Sequence, residues 1–177
     1  AKTGKGFKET VLNICELVPE GEISAEVVAT DFDTMLKEAL EISSWHQNIV
    51  VKVPLITPGV KLVRELTDRG VKTNVTLVFS VAQALMAAKA GATFISNFVG
   101  RVDDNGADGM EAVADTVRMV ETYGFESQVL VASVRGPMHV VQGIAAGAHI
   151  ATMPLKVMEQ LFMHPMTDLG LRRFLDD

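Results

Sequence analysis

Residues 48–54 read NIVVKVP, and the lysine inside that run of valines decides the fold. A short Ile/Val run bounded by Asn and Pro reads as a buried strand. Burying an ammonium there without a partner is costly. Either the Lys52 side chain escapes to water, or the strand aims it into an interior built to receive it.

Reading outward, strand-like runs alternate with helix-like runs along the whole chain. The strand candidates are residues 23–29 (ISAEVVA), 48–54, 72–78 (KTNVTLV), 93–100 (TFISNFVG), 128–134 (QVLVASV) and 149–154 (HIATMP). Between them lie the helical patterns FDTMLKEALEISS, VKLVRELTDRG, SVAQALMAAKAG, GMEAVADTVRMVETYG and PMHVVQGIAAGA. Three helices run into a glycine just before the next strand, at Gly70, Gly91 and Gly147, which is helix-terminating chemistry. No low-complexity stretch interrupts the series, so residues 1–177 read as a single domain. Repeated β-α units imply parallel strands, in an open doubly wound sheet or a (β/α)8 barrel. No G-x-G-x-x-G and no P-loop follows a strand, which weakens the nucleotide-binding open sheet.

Alternation within the strands favours the barrel. Side chains change face with period 2. One parity carries Ser24, Glu26, Lys52, Asn74, Thr76, Ser96, Ser133, Arg135 and Thr152. The other carries Ile23, Ala25, Val27, Ile49, Val51, Val53, Val75, Leu77, Ile95 and Val99. An outside covered by helices and a polar inside converging on one axis give this pattern, with the site at the C-terminal strand ends. About six strands are visible where such a barrel has eight. The two missing β-α units are expected at the N-terminus.

Composition narrows the function. The chain is 48% hydrophobic and 21% charged, enough apolar material for a sizeable core. The net charge is -6 and the pI about 5.2, so there is no basic field for nucleic acid. Cys15 is the single cysteine, which fits a reducing compartment. No apolar run approaches the ~18 residues of a membrane span, and the N-terminus is not patterned as a signal peptide. A cytoplasmic protein with no membrane partner is expected. His46, His139, His149 and His164 lack metal spacing. DDNGADG (103–109) has its glycine at the wrong offset for a calcium loop and reads as a cap for the next helix. No metal and no cofactor is expected. Lys72 starts a strand and Lys156 follows the last one; both read as structural or solvated.

A lysine on the polar inner face can be shielded without being orphaned. Shielding favours the neutral amine, which is nucleophilic toward carbonyl carbon. Imine chemistry also needs an acid/base group and a water in reach. Glu26 is the nearest carboxylate by strand order. The alternative is a plain buried salt bridge between Glu26 and Lys52, which favours the ammonium. Spacing and parity leave both open.

The stretches SAEVVATDFD, NIVVKVP, GVKTNVTLVFS, AGATFISNFVGRVDD, VASVRGP and HPMTDLGLRRFLDD, in this order across essentially the whole chain, resemble the transaldolase family. The likeness is to its small subfamily, which includes the fructose-6-phosphate aldolases. The resemblance implies a (β/α)8 barrel with a Schiff-base lysine on its fourth strand, matched here by Lys52. The first two strands, with an active-site aspartate and a Thr-Asn-Pro turn, are then absent, and the opening AKTGKG resembles the segment just after that turn. Glu26 matches the glutamate that orients a catalytic water, and Thr76 the threonine that shares it. Asn74 and Ser96 match side chains that hydrogen-bond substrate hydroxyls. Arg101 and Arg135 match the phosphate-binding arginines, and Phe98 and Ser133 fall in the substrate-binding set.

The aldolase type tends to carry Gln at position 26 and Tyr at position 98. Glu26 and Phe98 favour the transaldolase: transfer of a dihydroxyacetone unit from sedoheptulose 7-phosphate to glyceraldehyde 3-phosphate, in the pentose phosphate pathway, giving erythrose 4-phosphate and fructose 6-phosphate. Fructose-6-phosphate aldolase is the alternative activity, and an inactive or truncated barrel with a structural role is the alternative class. The resemblance also implies a homo-oligomer, a pentamer or decamer. The C-terminal DLGLRRFLDD, with Leu169, Leu171, Phe174 and Leu175, is the expected docking helix, on its own barrel or a neighbour's.

Overall fold

The computed structural model describes residues 6–176; the opening AKTGK lies outside the described residues. In chain order the elements are α1 (Phe7–Leu17), β1 (Ile23–Glu26), α2 (Phe32–Ser43), β2 (Ile49–Pro54), α3 (Thr57–Asp68), β3 (Thr73–Val78), α4 (Val81–Ala90), β4 (Phe94–Phe98), α5 (Val99–Asp103), α6 (Gly109–Tyr123), β5 (Gln128–Ala132), α7 (Pro137–Ala145), β6 (Ile150–Ala151), α8 (Leu155–Leu161) and α9 (Pro165–Asp176).

The local chemistry of the ends explains most boundaries. Asp31 accepts the Thr34 N–H to start α2, Ser80 accepts the Gln83 N–H to start α4, and Asp108 accepts the Met110 N–H to start α6. Pro58 and Pro137 lie in the first turns of α3 and α7, where a missing N–H does no harm. Gly91 ends α4 with φ of 93°, a conformation costly for any residue with a Cβ.

The six strands pair in sequence order, β1-β2-β3-β4-β5-β6, and every pair is parallel. A doubly wound sheet reverses its order at a switch point. This one does not, and crossovers of one hand then put the connecting helices on one side. The core lies there. Val51, Val53, Val75, Ile95, Val129 and Val131 pack with Met35, Leu62, Leu66, Val113 and Val117, all buried. Burying such side chains contributes about 1.5–3 kcal/mol each, so the helix-covered face carries the stability of the sheet. The opposite face is left for Ser24, Glu26, Lys52, Asn74 and Ser96, as their parity predicts.

Strict alternation fails at two places. In β3 the register shifts between Val75 and Val78. Leu77, expected on the outer face, has φ of 61° and is only half-buried, while Val78 takes the core position. In β5 the outer residues are Val129 and Val131, so Ser133 and Arg135 are out of phase with the inner face. Ser133 escapes the parity because it follows the last residue of β5 with φ of 60°. Two spans also shorten. The run expected to be strand through Gly100 turns helical at Val99, and the last strand holds only Ile150–Ala151 in its ladder. The inner face is less polar than its parity list suggested, since Val50, Phe94 and Leu130 alternate in phase with it. Among the described residues no helix is long and apolar enough to cross a membrane.

Candidate active site

Parallel register sets Glu26 opposite Lys52, and Lys52 opposite Asn74. Three polar side chains thus stand abreast on the face away from the helices. Lys52 Nζ donates to Glu26 Oε2 at 2.8 Å, with side-chain exposures of 28% and 42%. The lysine that seemed misplaced among valines is therefore neither orphaned nor free in water. Next to it, Asn74 Nδ2 donates to Ser24 Oγ at 3.0 Å, and Ser96 Oγ donates to Asn74 Oδ1 at 2.7 Å. This chain fixes the amide orientation across β1, β3 and β4 and leaves both residues facing the same space.

That space is an open cavity of about 560 Å³. Lys52, Asn74, Ser96, Phe98, Ser133 and Thr152 are among the residues that line it. Its size is in the range of small-molecule sites. Thr76 does not reach the wall. It is buried two residues beyond Asn74, and its Oγ1 has no hydrogen-bond partner in the protein among the described residues. Trp45 Nε1, Thr73 Oγ1 and Asn97 Oδ1 are buried without a protein partner in the same way.

The two arginines stand beyond the ends of β4 and β5. Arg101 lies on α5 with its guanidinium 5.0 Å from the Phe98 ring centre, and Phe98 in turn packs on Phe79 at 5.6 Å. Arg135 Nη2 donates to Asp104 Oδ2 at 2.7 Å. The ends of the two strands are joined where the Gly100 N–H donates to the Ser133 carbonyl at 3.1 Å. A Cβ on Gly100 would meet that carbonyl oxygen at 2.1 Å and the Arg135 side chain at 2.7 Å, so only glycine allows this approach. Neither arginine lines the cavity wall, but each adjoins a residue that does: Arg101 stacks on Phe98, and Arg135 lies two residues past Ser133.

Sequence reasoning brought Lys52, Glu26, Asn74 and Ser96 to one place and missed their neighbours. Parity places Ser24 on the inner face with Glu26 but assigns it no part in the site, where it accepts from Asn74. Asp103, Asp104 and His139 carried no recognisable spacing. DDNGADG does cap α6, through Asp108 and through Asp103 Oδ1, which accepts the Gly109 N–H at 2.9 Å. Lys72 pairs with Glu22, which also lines the cavity.

Comparison with known proteins converges on one family. The pattern of the transaldolase/fructose-6-phosphate aldolase family matches residues 7–174. The chain is 55% identical over 177 residues to a probable transaldolase of Sorangium cellulosum, covering 100% of this chain and 82% of that protein. It is 52% identical to a probable transaldolase of Herpetosiphon aurantiacus, with 100% and 80% covered. With a probable transaldolase of Anaeromyxobacter sp. (strain K) the figures are 55%, 100% and 81%.

Proposed function

The chain belongs to the transaldolase/fructose-6-phosphate aldolase family, and from that premise we propose that it is a transaldolase whose Schiff-base lysine is Lys52. The observation that carries this reading is the placement of Lys52 in the wall of a cavity that also presents Asn74, Ser96 and Phe98.

In this reading Glu26 takes the proton that Lys52 must lose, and Nζ attacks the ketose carbonyl carbon. Loss of water gives an iminium. The hydroxyl proton of the fourth carbon passes to the water held at Glu26 as the bond between the third and fourth carbons breaks, its electron pair passes into the iminium, and an aldehyde phosphate leaves. The resulting enamine adds to a second aldehyde phosphate, and water releases the product from Lys52. Glu26 and the buried Thr76 hydroxyl hold the water that serves these proton transfers. Asn74, Ser96 and Ser133 bind substrate hydroxyls, and Phe98 floors the site. Arg101 and Arg135 grip the phosphate at the rim, where a guanidinium fork suits it.

The six sequential parallel strands are, in the same reading, consecutive strands of a (β/α)8 barrel. Support comes from the singly wound order and from β1 and β6, each of which has one strand partner among the described residues. A homo-oligomer belongs to the same reading, and α9 supports it by burying none of its residues and exposing Leu171, Phe174 and Leu175.

Borohydride reduction in the presence of fructose 6-phosphate tests the assignment. The dihydroxyacetone unit should remain as a stable added mass on the peptide containing Lys52. Added mass on Lys72 or Lys156 instead would sink it.

A further inference from the structure

We propose that His139 is a positioning residue for the phosphate end of the substrate, acting by fixing the backbone from which Arg135 projects. The inference rests on the reading that Arg135 binds phosphate.

Arg135 sits in the irregular stretch between β5 and α7, where no strand or helix partner is available to its N–H. His139, in the first turn of α7, supplies one: Nδ1 accepts the Arg135 N–H at 3.1 Å. Its Nε2 lies 2.7 Å from Asp103 Oδ2. With Nδ1 accepting, the ring hydrogen is on Nε2 and is donated to Asp103. Asp103 is itself held, because its Oδ1 accepts the Gly109 N–H. The arginine turn is thus tied through one imidazole to the end of α5 and the start of α6.

The competing anchor is Asp104, which pairs with the Arg135 guanidinium directly. Both members of that pair are more than half exposed, at 56% and 58%. Such pairs contribute little and exchange easily with water or an incoming anion. The His139 side chain is 15% exposed. It constrains the backbone rather than the tip, and leaves the guanidinium free to turn to phosphate. Since small displacements of a binding group weaken its contacts steeply, the imidazole sets how well Arg135 meets its ligand.

The test uses His139→Ala, His139→Asn and Arg135→Ala in the full chain. Two readouts are compared: transfer from fructose 6-phosphate, and borohydride trapping of Lys52 by dihydroxyacetone, which carries no phosphate. His139→Ala should raise the KM for fructose 6-phosphate about tenfold with kcat within about twofold, and leave the dihydroxyacetone concentration needed for trapping unchanged. His139→Asn, whose Oδ1 replaces the Nδ1 acceptor, should recover most of the loss. Parallel weakening of both readouts, an unchanged KM, or His139→Asn being no better than His139→Ala would overturn the proposal. If His139→Ala does not fold, His139→Asn against His139→Gln decides, because the longer Gln carries its amide out to the place of Nε2, toward Asp103, and leaves no acceptor at the place of Nδ1 for the Arg135 N–H. An Arg135→Ala variant with unchanged KM removes the phosphate reading and this inference together. A raised KM there without one in the His139 variants removes this inference alone.

Discussion

A lysine that attacks carbonyl carbon must first lose a proton, and Glu26 at 2.8 Å is placed to take it. Arginine at position 52 keeps the charge and the partner but, with a pKa above ~12, cannot become the nucleophile. Lys52→Arg should therefore abolish turnover and borohydride trapping while leaving thermal unfolding close to wild type. Residual turnover of more than about 1% would contradict the covalent role, since loss of a nucleophile costs several orders of magnitude. Gly100 makes a different kind of single-residue demand. Its substitution by Ala forces a methyl against the Ser133 carbonyl, an overpacking that costs about 1–3 kcal/mol. Gly100→Ala should lower the melting temperature and raise the KM for fructose 6-phosphate, because it pushes Arg135 away from Arg101. Trapping by dihydroxyacetone should survive in the fraction that remains folded. If the KM is unchanged, the arginines do not depend on this contact.

The elements show why some of this was legible in the sequence and some was not. Period-2 alternation identified the inner positions Glu26, Lys52, Asn74 and Ser96 because their strands are regular there. It failed at Leu77 and Ser133, where a positive φ at a non-glycine residue rotates the chain out of phase and no residue type announces the change. Glycines before strands were informative for the converse reason: Gly70, Gly91 and Gly147 all have positive φ, which the residue type favours. Contacts between distant short segments, such as Asp103 with His139, have no periodic signature at all. Helix ends also carry a pH signature. The Asp31 carboxyl is held below its ordinary value of 3.8 by the Thr34 N–H it accepts as the cap of α2. The folded chain therefore prefers the carboxylate, and the cap's contribution is present above pH ~4 and lost as pH falls through the lowered value. Asp31→Ala should be less stable than wild type at neutral pH, and the gap should narrow below pH ~4 in urea unfolding. A gap constant down to pH 2.5 would rule out the cap as its source.

At the scale of the whole molecule, the sequential parallel sheet separates two tasks. One face is closed by helices and carries the stability; the other is free to hold a lysine, a glutamate and a row of hydroxyls and amides. A chain of net charge -6 repels anions at long range, so in the proposed reading capture of a sugar phosphate falls to Arg101 and Arg135 at the strand ends. In the proposed mechanism the outcome depends on whether the enamine on Lys52 meets a proton or an aldehyde. Protonation releases dihydroxyacetone; addition to an aldehyde phosphate gives transfer. Phe98 faces the cavity between Phe79 and Arg101 and has no hydroxyl to supply a proton. Proton delivery then falls to water held by Glu26 and Thr76, and release should be slow. The enzyme should consume fructose 6-phosphate rapidly only when erythrose 4-phosphate is present, with release in its absence at least about tenfold slower, as expected when a positioned acid is missing. Phe98→Tyr places a phenol of pKa about 10 beside the intermediate and should raise the release rate. Glu26→Gln should lower transfer, because the amide cannot take the lysine's proton. Both rates are read in one coupled assay of free dihydroxyacetone and of sedoheptulose 7-phosphate. If the wild-type chain releases dihydroxyacetone without an acceptor as fast as it transfers with one, cleavage is its activity and the aldolase reading replaces the transaldolase one.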